Sequence, residues 1–326
     1  MKILVVDVAA DRGGALSILK NFIEKFKADT ENEYTVVVGS PEFSDTENVK
    51  FIRLPWVKRS RLHRLFFDKH YIKKLIKEHA PDRVFSLQNK GFPTGGVPED
   101  VYFHNALFIC ERRFKLSESR KLWLYQHPIA RMTKRSLRHA ERIFVQAEWI
   151  KRALSEKWSL PSEKIFVDKP AVAPVFREAC EPSSMPPVLF YPAAFSSYKN
   201  HKTLIDALAL VKEKRGTAPD LLLTGFPENF PEALRVKVEK SGLSLSFLGR
   251  ISGEEMRSVY LRSVLVFPSY LETVGLPLLE AKALGRPIIA ADLEYARESV
   301  GDYESVSYFS YSDAAELAER IEGAFS

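Results

Sequence analysis

Short apolar runs alternate with longer amphipathic stretches along almost the whole of this 326-residue chain. In the first half the apolar runs fall at residues 2–8, 34–39, 49–54, 83–87, 101–104, 142–146 and 164–168, and in the second at 188–191, 221–224, 246–248, 264–267, 287–291 and 306–309. Runs so short and so rich in Val, Ile, Leu and Phe predict strands buried on both faces. Between them, apolar residues recur every three to four positions near 15–27, 61–79, 117–138 and 148–157, then at 199–214, 231–240, 253–261, 276–284 and 313–324, which predicts helices. Strand and helix in alternation predict parallel sheets covered on both faces, an α/β fold.

The alternation breaks once. Residues 169–187 hold five prolines in nineteen positions, poor material for helix or strand and good material for a linker. The expected division is a first Rossmann-like domain at 1–170, a linker at 171–187 and a second Rossmann-like domain at 188–326. This length suits two domains. Two such domains facing each other leave a central cleft, and open α/β sheets bind ligands beyond the carboxyl ends of their strands.

Composition narrows the class. An apolar share of 45% supports two cores. No stretch of 18 apolar residues occurs, and residues 2–8 are too short for a secretory leader. Two distant cysteines, Cys110 and Cys180, give neither a metal spacing nor a disulfide framework, so a reducing, cytoplasmic setting is expected. The net charge of +6 is uneven: 32 Lys and Arg stand against 21 Asp and Glu up to Val175, and 16 against 21 beyond it. A basic first half admits an anionic membrane, a phosphorylated substrate or nucleic acid. No zinc-finger, RNA-recognition or helix-turn-helix signature supports the last. The basic, aromatic stretch 56–77 reads in two ways that stay open. Trp56, Phe66 and Phe67 anchor at an anionic leaflet, or the aromatics face the core beneath solvated lysines.

Candidate chemistry concentrates at residues 272–280, Glu-Thr-Val-Gly-Leu-Pro-Leu-Leu-Glu. Glu272 falls in a loop after an apolar strand and Glu280 on the helix that follows. A glycine at a helix start offers free N–H groups to an anion. Two carboxylates around such a site suit a ligand with a diphosphate in its middle and hydroxyls at both ends. Lys199, at the start of the first helix of the second half, opposes the helix dipole, and a bound diphosphate is one reason to tolerate it there. Gly13 and Gly14 follow the first strand, either as a plain turn or as a close backbone approach to a ligand. They lack the third glycine of a dinucleotide fingerprint. His104 and Asn105, with Gln88 and Asn89, are polar at strand ends. Gly225 and Gly249-Arg250 close strands of the second half, where Arg250 can meet phosphate.

Together these pieces resemble the family 4 glycosyltransferases of the GT-B fold over essentially the whole chain, and among them enzymes of bacterial lipopolysaccharide and surface polysaccharide synthesis. Residues 267–287 look like the family's Glu-x7-Glu motif with its flanks, supported by Lys199-Asn200-His201, Leu223-Thr-Gly225, Phe247-Leu-Gly249, Phe103-His104-Asn105 and Phe144-Val-Gln-Ala-Glu-Trp149. The resemblance implies metal-independent transfer, with retention, of a sugar from a nucleoside diphosphate, UDP foremost, to a glycan or lipid-linked acceptor. It implies no cofactor and no nucleic-acid partner. By the same resemblance Glu280 binds ribose, Glu272 lies by the donor sugar, and Lys199 holds the diphosphate. His104 lies near the sugar, while Gly13, Gly14, Asn105, Gly225, Arg250, Thr273, Val274, Gly275 and Leu276 complete the donor site. Peripheral attachment to the inner face of a membrane goes with a lipid-linked acceptor. Three positions depart from the family. Ala193 stands where many members have Arg, Val274 where Phe is commoner, and the helix ending near Ala324 is followed by no further segment in this sequence. A nucleotide-sugar epimerase of the same fold and a non-catalytic nucleotide-binding module are the alternatives.

Overall fold

The computed structural model describes residues 1–11, 13–177 and 188–325, so Cys180 and most of the expected linker lie outside the described residues. The chain divides into two units, Met1–Lys169 and Pro170–Ser326.

The first unit runs β1 (Lys2–Asp7), α1 (Gly13–Ala28), β2 (Glu33–Val38), β3 (Val49–Arg53), α2 (Arg61–Phe66), α3 (Ile72–His79), β4 (Arg83–Ser86), β5 (Glu99–Phe103), α4 (Arg120–Leu124), α5 (Ala130–Leu137), β6 (Arg142–Val145), α6 (Glu148–Trp158) and β7 (Ile165–Val167). Its strands form one parallel sheet in the order β3-β2-β1-β4-β5-β6-β7. Alternate residues of β1 serve opposite faces. Leu4 and Val6 pack with Phe67, Ile72 and Leu75, while Val5 packs with Leu19, Phe22 and Ile23 of α1. Two of the helices foreseen from periodicity carry a π-helical turn, Phe67–Tyr71 between α2 and α3 and Tyr125–Ile129 between α4 and α5, the latter holding Pro128. Such a turn shifts the face the helix presents.

The second unit runs β8 (Val188–Tyr191), α7 (His201–Arg215), β9 (Leu221–Leu223), α8 (Glu232–Lys240), β10 (Leu245–Phe247), α9 (Gly253–Tyr260), β11 (Ser263–Phe267), α10 (Leu276–Ala283), β12 (Ile288–Ala291), α11 (Glu294–Val300), β13 (Val306–Phe309) and α12 (Ala314–Ala324). Its parallel sheet has the order β10-β9-β8-β11-β12-β13. The 3-10 turn Pro174–Phe176 belongs to this unit, with Phe176 buried edge-on against Tyr260 at 5.9 Å. Helix α11 was not foreseen: Glu-Tyr-Ala-Arg-Glu-Ser-Val places apolar residues at 295, 296 and 300, too few for a helical period to show.

Each sheet grows outward in two directions from a central pair, β1 and β4 in the first unit and β8 and β11 in the second. At those pairs the chain leaves neighbouring strands toward opposite sides, which opens a crevice at their carboxyl ends.

Candidate functional site

In the second unit the loops after β8 and β11 are laced together. Asn200 holds a left-handed backbone, φ 59°, at the start of α7, a conformation asparagine tolerates better than most residues. Its amide donates to the carbonyls of Pro268 at 3.1 Å and Tyr311 at 2.7 Å. The Tyr270 N–H and the Ser269 hydroxyl both donate to the Tyr198 carbonyl, at 2.9 and 3.2 Å. From beneath, the Tyr191 hydroxyl donates to the Lys199 carbonyl at 2.7 Å. These bonds fix the backbone of Lys199 beside that of Glu272, and their side chains form an ion pair with about one fifth or less of each exposed. The Lys199 ammonium also lies 5.9 Å from the centre of the Phe267 ring.

Beyond Glu272 the chain turns through Thr273 and Val274 into Gly275, φ 77°, which starts α10. A Cβ at Gly275 would come within 3.1 Å of both Leu278 and Phe267, so the turn requires glycine on conformational and steric grounds. The unforeseen α11 braces this turn. The Tyr295 hydroxyl donates to the Ser269 carbonyl at 2.6 Å, and the Ser299 hydroxyl to the Val274 carbonyl at 2.5 Å. Val274 is buried, Leu276 half exposed. Glu280, on the same helix, accepts from the Tyr260 hydroxyl at 2.8 Å. Burial raises its carboxyl above the usual range, and the Tyr260 bond partly offsets this. One carboxylate oxygen is thus held while the other remains an acceptor.

Other expected residues stand differently. Arg250 is exposed beyond β10, at the edge of the sheet two strands from β8, roughly 10 Å away by strand spacing. Ala193, directly after β8, is buried and brings no cation. Gly225 has a packing reason to be glycine: a Cβ there would lie 2.2 Å from the Phe195 ring. His201 is 4% exposed, with both ring nitrogens unpartnered between the rings of Tyr191 and Phe195. Burial, reinforced by the Lys199 charge, pushes its pKa down to about 3, so the ring is neutral.

In the first unit the crevice between β1 and β4 gathers its own polar set. Asn89, φ 63°, accepts the His104 N–H at 2.6 Å and so ties the loop after β4 to the end of β5. His104 Nδ1 is buried without a partner although the residue as a whole is partly exposed, and burial pushes its pKa down to about 4. A neutral imidazole follows, able to donate or accept one hydrogen bond but not to carry charge at neutral pH. Asn105 is committed locally, its side chain accepting the Leu107 N–H at 3.0 Å. Gly13 begins α1, and a Cβ at Gly14 would meet nothing within 4 Å, so packing does not demand glycine at Gly14.

Sequence reading passed over several residues of this rim. Arg64 bonds Asp68 at 3.0 Å and also Gln88, Lys90 pairs with Asp68, and Asp7 is 3% exposed at the end of β1. Burial drives Asp7 up to about 7, against the Ala10 N–H it accepts at 3.2 Å and the charges of Arg64 and Lys58. The folded chain therefore binds this proton more tightly than the unfolded chain. The associated stability is complete below the usual carboxylate pKa and is lost as pH rises from about 4 through about 7. Asp7→Asn is expected to raise stability at pH 8 by on the order of a few kcal/mol relative to its effect at pH 4. Thermal unfolding of both proteins at the two pH values tests this, and an equal effect at both refutes it.

Among the described residues no helix is long and apolar enough to cross a membrane, and no group of three or more His, Cys, Asp and Glu is arranged to hold a metal ion.

Two parallel α/β units of this kind constitute the GT-B fold of glycosyltransferases. The chain superposes on sucrose-phosphate synthase from Thermosynechococcus elongatus with a TM-score of 0.75, at 19% identity over 99% of this chain and 89% of that one. WaaG, a glycosyltransferase of lipopolysaccharide biosynthesis, gives 0.71 at 16% identity over 99% and 90%, and Anabaena HepE, solved with UDP-glucose, 0.70 at 18% over 100% and 90%. At the level of family, residues 12–173 match Glycosyltransferase Family 4 and residues 174–326 match Glycosyl transferases group 1, so this chain belongs to the family 4 type of glycosyltransferase. Curated relatives include EpsD of Bacillus subtilis, which bears a provisional glycosyltransferase name, 36% identical over 41% of this chain, and the O-antigen chain mannosyltransferase B of Escherichia coli, 24% identical over 51%. The matches span 35% and 47% of those relatives' own lengths.

Proposed function

We propose that the chain transfers a sugar, with retention, from a nucleoside diphosphate donor to a glycan or lipid-linked acceptor in surface polysaccharide synthesis. The observation that carries this is the Lys199–Glu272 pair, set at the carboxyl ends of β8 and β11 beside the glycine-started α10 that bears Glu280. A ribose bonds the open oxygen of Glu280, and the diphosphate meets Lys199 and the first turn of α10, where the helix dipole favours negative charge. Lys199 then turns from Glu272 toward phosphate, and Glu272, released from its ion pair, accepts from hydroxyls of the sugar. As the bond from the anomeric carbon to the diphosphate oxygen breaks, an acceptor hydroxyl bonds that carbon and passes its proton to the departing diphosphate, whose growing charge Lys199 is placed to stabilise. The neutral His104 serves as a hydrogen-bond partner rather than a cation in the first unit, which takes the acceptor. HepE, a relative in fold, was solved with UDP-glucose, which supports UDP as the first donor base to try.

Ala193, buried where many family members carry an arginine, favours a second reading, a module that binds nucleotide and transfers nothing. Thermal shift against UDP, GDP, ADP and CMP, then turnover of the matching sugar donors, separates the two. One nucleoside diphosphate is expected to raise the melting temperature by several degrees and its sugar to be transferred. Stabilisation without transfer to any acceptor extract supports the module, conversion of the donor to its epimer supports an epimerase, and no stabilisation by any nucleotide overturns all three.

A further inference from the structure

The carboxyl ends of β1, β2 and β4 carry a knot of charge that the chemistry of Lys199 and Glu272 does not use. Lys58 closes the 3-10 turn Pro55–Lys58 after β3. Its stem crosses Gly39, just beyond β2, where a Cβ would lie 2.7 Å from Lys58 Cε, so glycine there opens the path. The ammonium arrives 3.0 Å from Asp11, in the loop after β1. It is shielded from water and makes no hydrogen bond among the described residues. Arg64 comes from α2. Its Nε donates to both oxygens of Asp68, at 3.0 and 3.2 Å, and its Nη2 to Gln88 Oε1. Gln88 in turn donates to the Val6 carbonyl of β1 at 3.4 Å, which ties Arg64 to the end of that strand. Arg64 Nη1 donates to nothing among the described residues, and the side chain is 28% exposed.

Both cations act on Asp7, buried at the end of β1. Asp68 is shared between Arg64 and Lys90, and Asp11 is the one ion-pair partner of Lys58 among the described residues. Burial leaves Asp7 only about half ionised near neutral pH, so the cations Lys58, Arg64 and Lys90 are not matched by as many carboxylates. A network built for stability alone uses its buried donors. This one leaves an ammonium and one arm of a guanidinium free. A point charge beside a planar N–H fork suits the oxygens of a phosphate. A neutral sugar hydroxyl satisfies neither group.

We propose that Lys58 and Arg64 bind a phosphate carried by the acceptor, which takes the place of the exposed Asp11 beside Lys58 and bonds Arg64 at Nη1, with the Asp7 carboxyl as a further hydrogen-bond partner. This rests on the reading that the first unit takes the acceptor, and it names what that acceptor carries. The phosphate belongs to a phosphorylated sugar or to a diphosphate joining sugar to lipid, and the two present the same oxygens. Protonated Asp7 donates to them, and ionised Asp7 repels them. The charged groups about Asp7 are Lys58 from the turn after β3 and Arg64 from α2, with Asp11, Asp68 and Lys90 behind them.

Calorimetric titration of the full chain with inorganic phosphate, glucose 6-phosphate, farnesyl diphosphate and glucose tests it. Lys199 is a competing phosphate ligand, so each titration is repeated on Lys199→Ala. The phosphate probes are expected to bind Lys199→Ala as well as wild type, and glucose to bind neither. Lys58→Met with Arg64→Gln keeps most of both stems and is expected to lower phosphate affinity by more than about tenfold. Asp7→Asn acts in the opposite direction. At pH 8 it is expected to bind phosphate about tenfold more tightly than wild type, and at pH 6 equally, because the carboxyl it replaces ionises at about 7. This comparison alters neither cation, so it decides the matter even where the double variant is unstable. Tighter binding of glucose 6-phosphate than of farnesyl diphosphate places the phosphate on the glycan, and the reverse order places it in a lipid linkage. Equal phosphate affinity in wild type and Lys58→Met/Arg64→Gln, equal affinity in wild type and Asp7→Asn at pH 8, loss of phosphate binding in Lys199→Ala, or binding of glucose alone overturns the proposal. A chain that binds phosphate through Lys58 and Arg64 but no nucleoside diphosphate overturns the transferase reading and leaves the phosphate site standing.

Discussion

Lys199→Ala is expected to lower turnover by about 10²-fold or more while shifting the melting temperature by only a few degrees. Apart from its ion pair with Glu272, the side chain takes no part in lacing the two loops, which runs through backbone groups and through Asn200, Ser269 and Tyr191. Its removal leaves Glu272 without its cation, and that is the one structural cost. Glu272 keeps about a sixth of its side chain exposed, so water compensates part of it. The double variant Lys199→Ala/Glu272→Ala separates the effects: it is expected to recover the lost stability and none of the lost turnover. The measurement is steady-state transfer with donor varied, beside thermal unfolding. Unchanged turnover in a folded Lys199→Ala protein would falsify the assignment of the diphosphate to this lysine.

Glu280→Ala is expected to weaken binding of the free nucleoside diphosphate by about 10- to 100-fold, the range for losing a charge-assisted hydrogen bond in a partly buried site. The alanine also strips the buried Tyr260 hydroxyl of its acceptor, so stability falls as well. Glu280→Gln removes the charge and keeps that acceptor. Its stability is expected to be near wild type, with an affinity between those of the other two proteins. Calorimetric titration with the diphosphate ranks the three. An affinity in Glu280→Ala equal to that of wild type removes Glu280 from the ribose.

Much of the fold was legible because it rests on local regularities. Among the described residues all thirteen strands lie where short apolar runs mark them, within a residue or two at their ends. Helix α11 escaped because seven residues with three apolar positions carry no measurable period, yet Tyr295 and Ser299 on it brace the turn that bears Gly275. The two π turns escaped for another reason. Periodicity marks one long helix at 61–79, and the change of face inside it depends on what the helix packs against. The same holds for Trp56 and Phe67, indistinguishable in sequence from Phe66 and separated only by burial.

The candidate site divides along the same line. Glu272, Gly275 and Glu280 are eight positions or fewer apart, so one strand, one loop and one helix carry all three, and sequence alone determines their order and their places on those elements. It determines as well that two parallel sheets are present, but the helix expected to open at Lys199 begins at His201, and Lys199 closes the 3-10 turn Ser197–Lys199 before it. Tertiary structure decided that Lys199 reaches Glu272 across 73 positions, that Tyr260 orients Glu280, that Asn105 is spent on a local turn, and that Asp7 and Arg64 share the other crevice. The physical reason is the range of the interactions. Propensity and alternation act between neighbours in the chain, and a motif so built can be read there. Partners of a buried hydroxyl or an ammonium are fixed by strand order, and the order β10-β9-β8-β11-β12-β13 places side by side two strands with two others between them in the sequence.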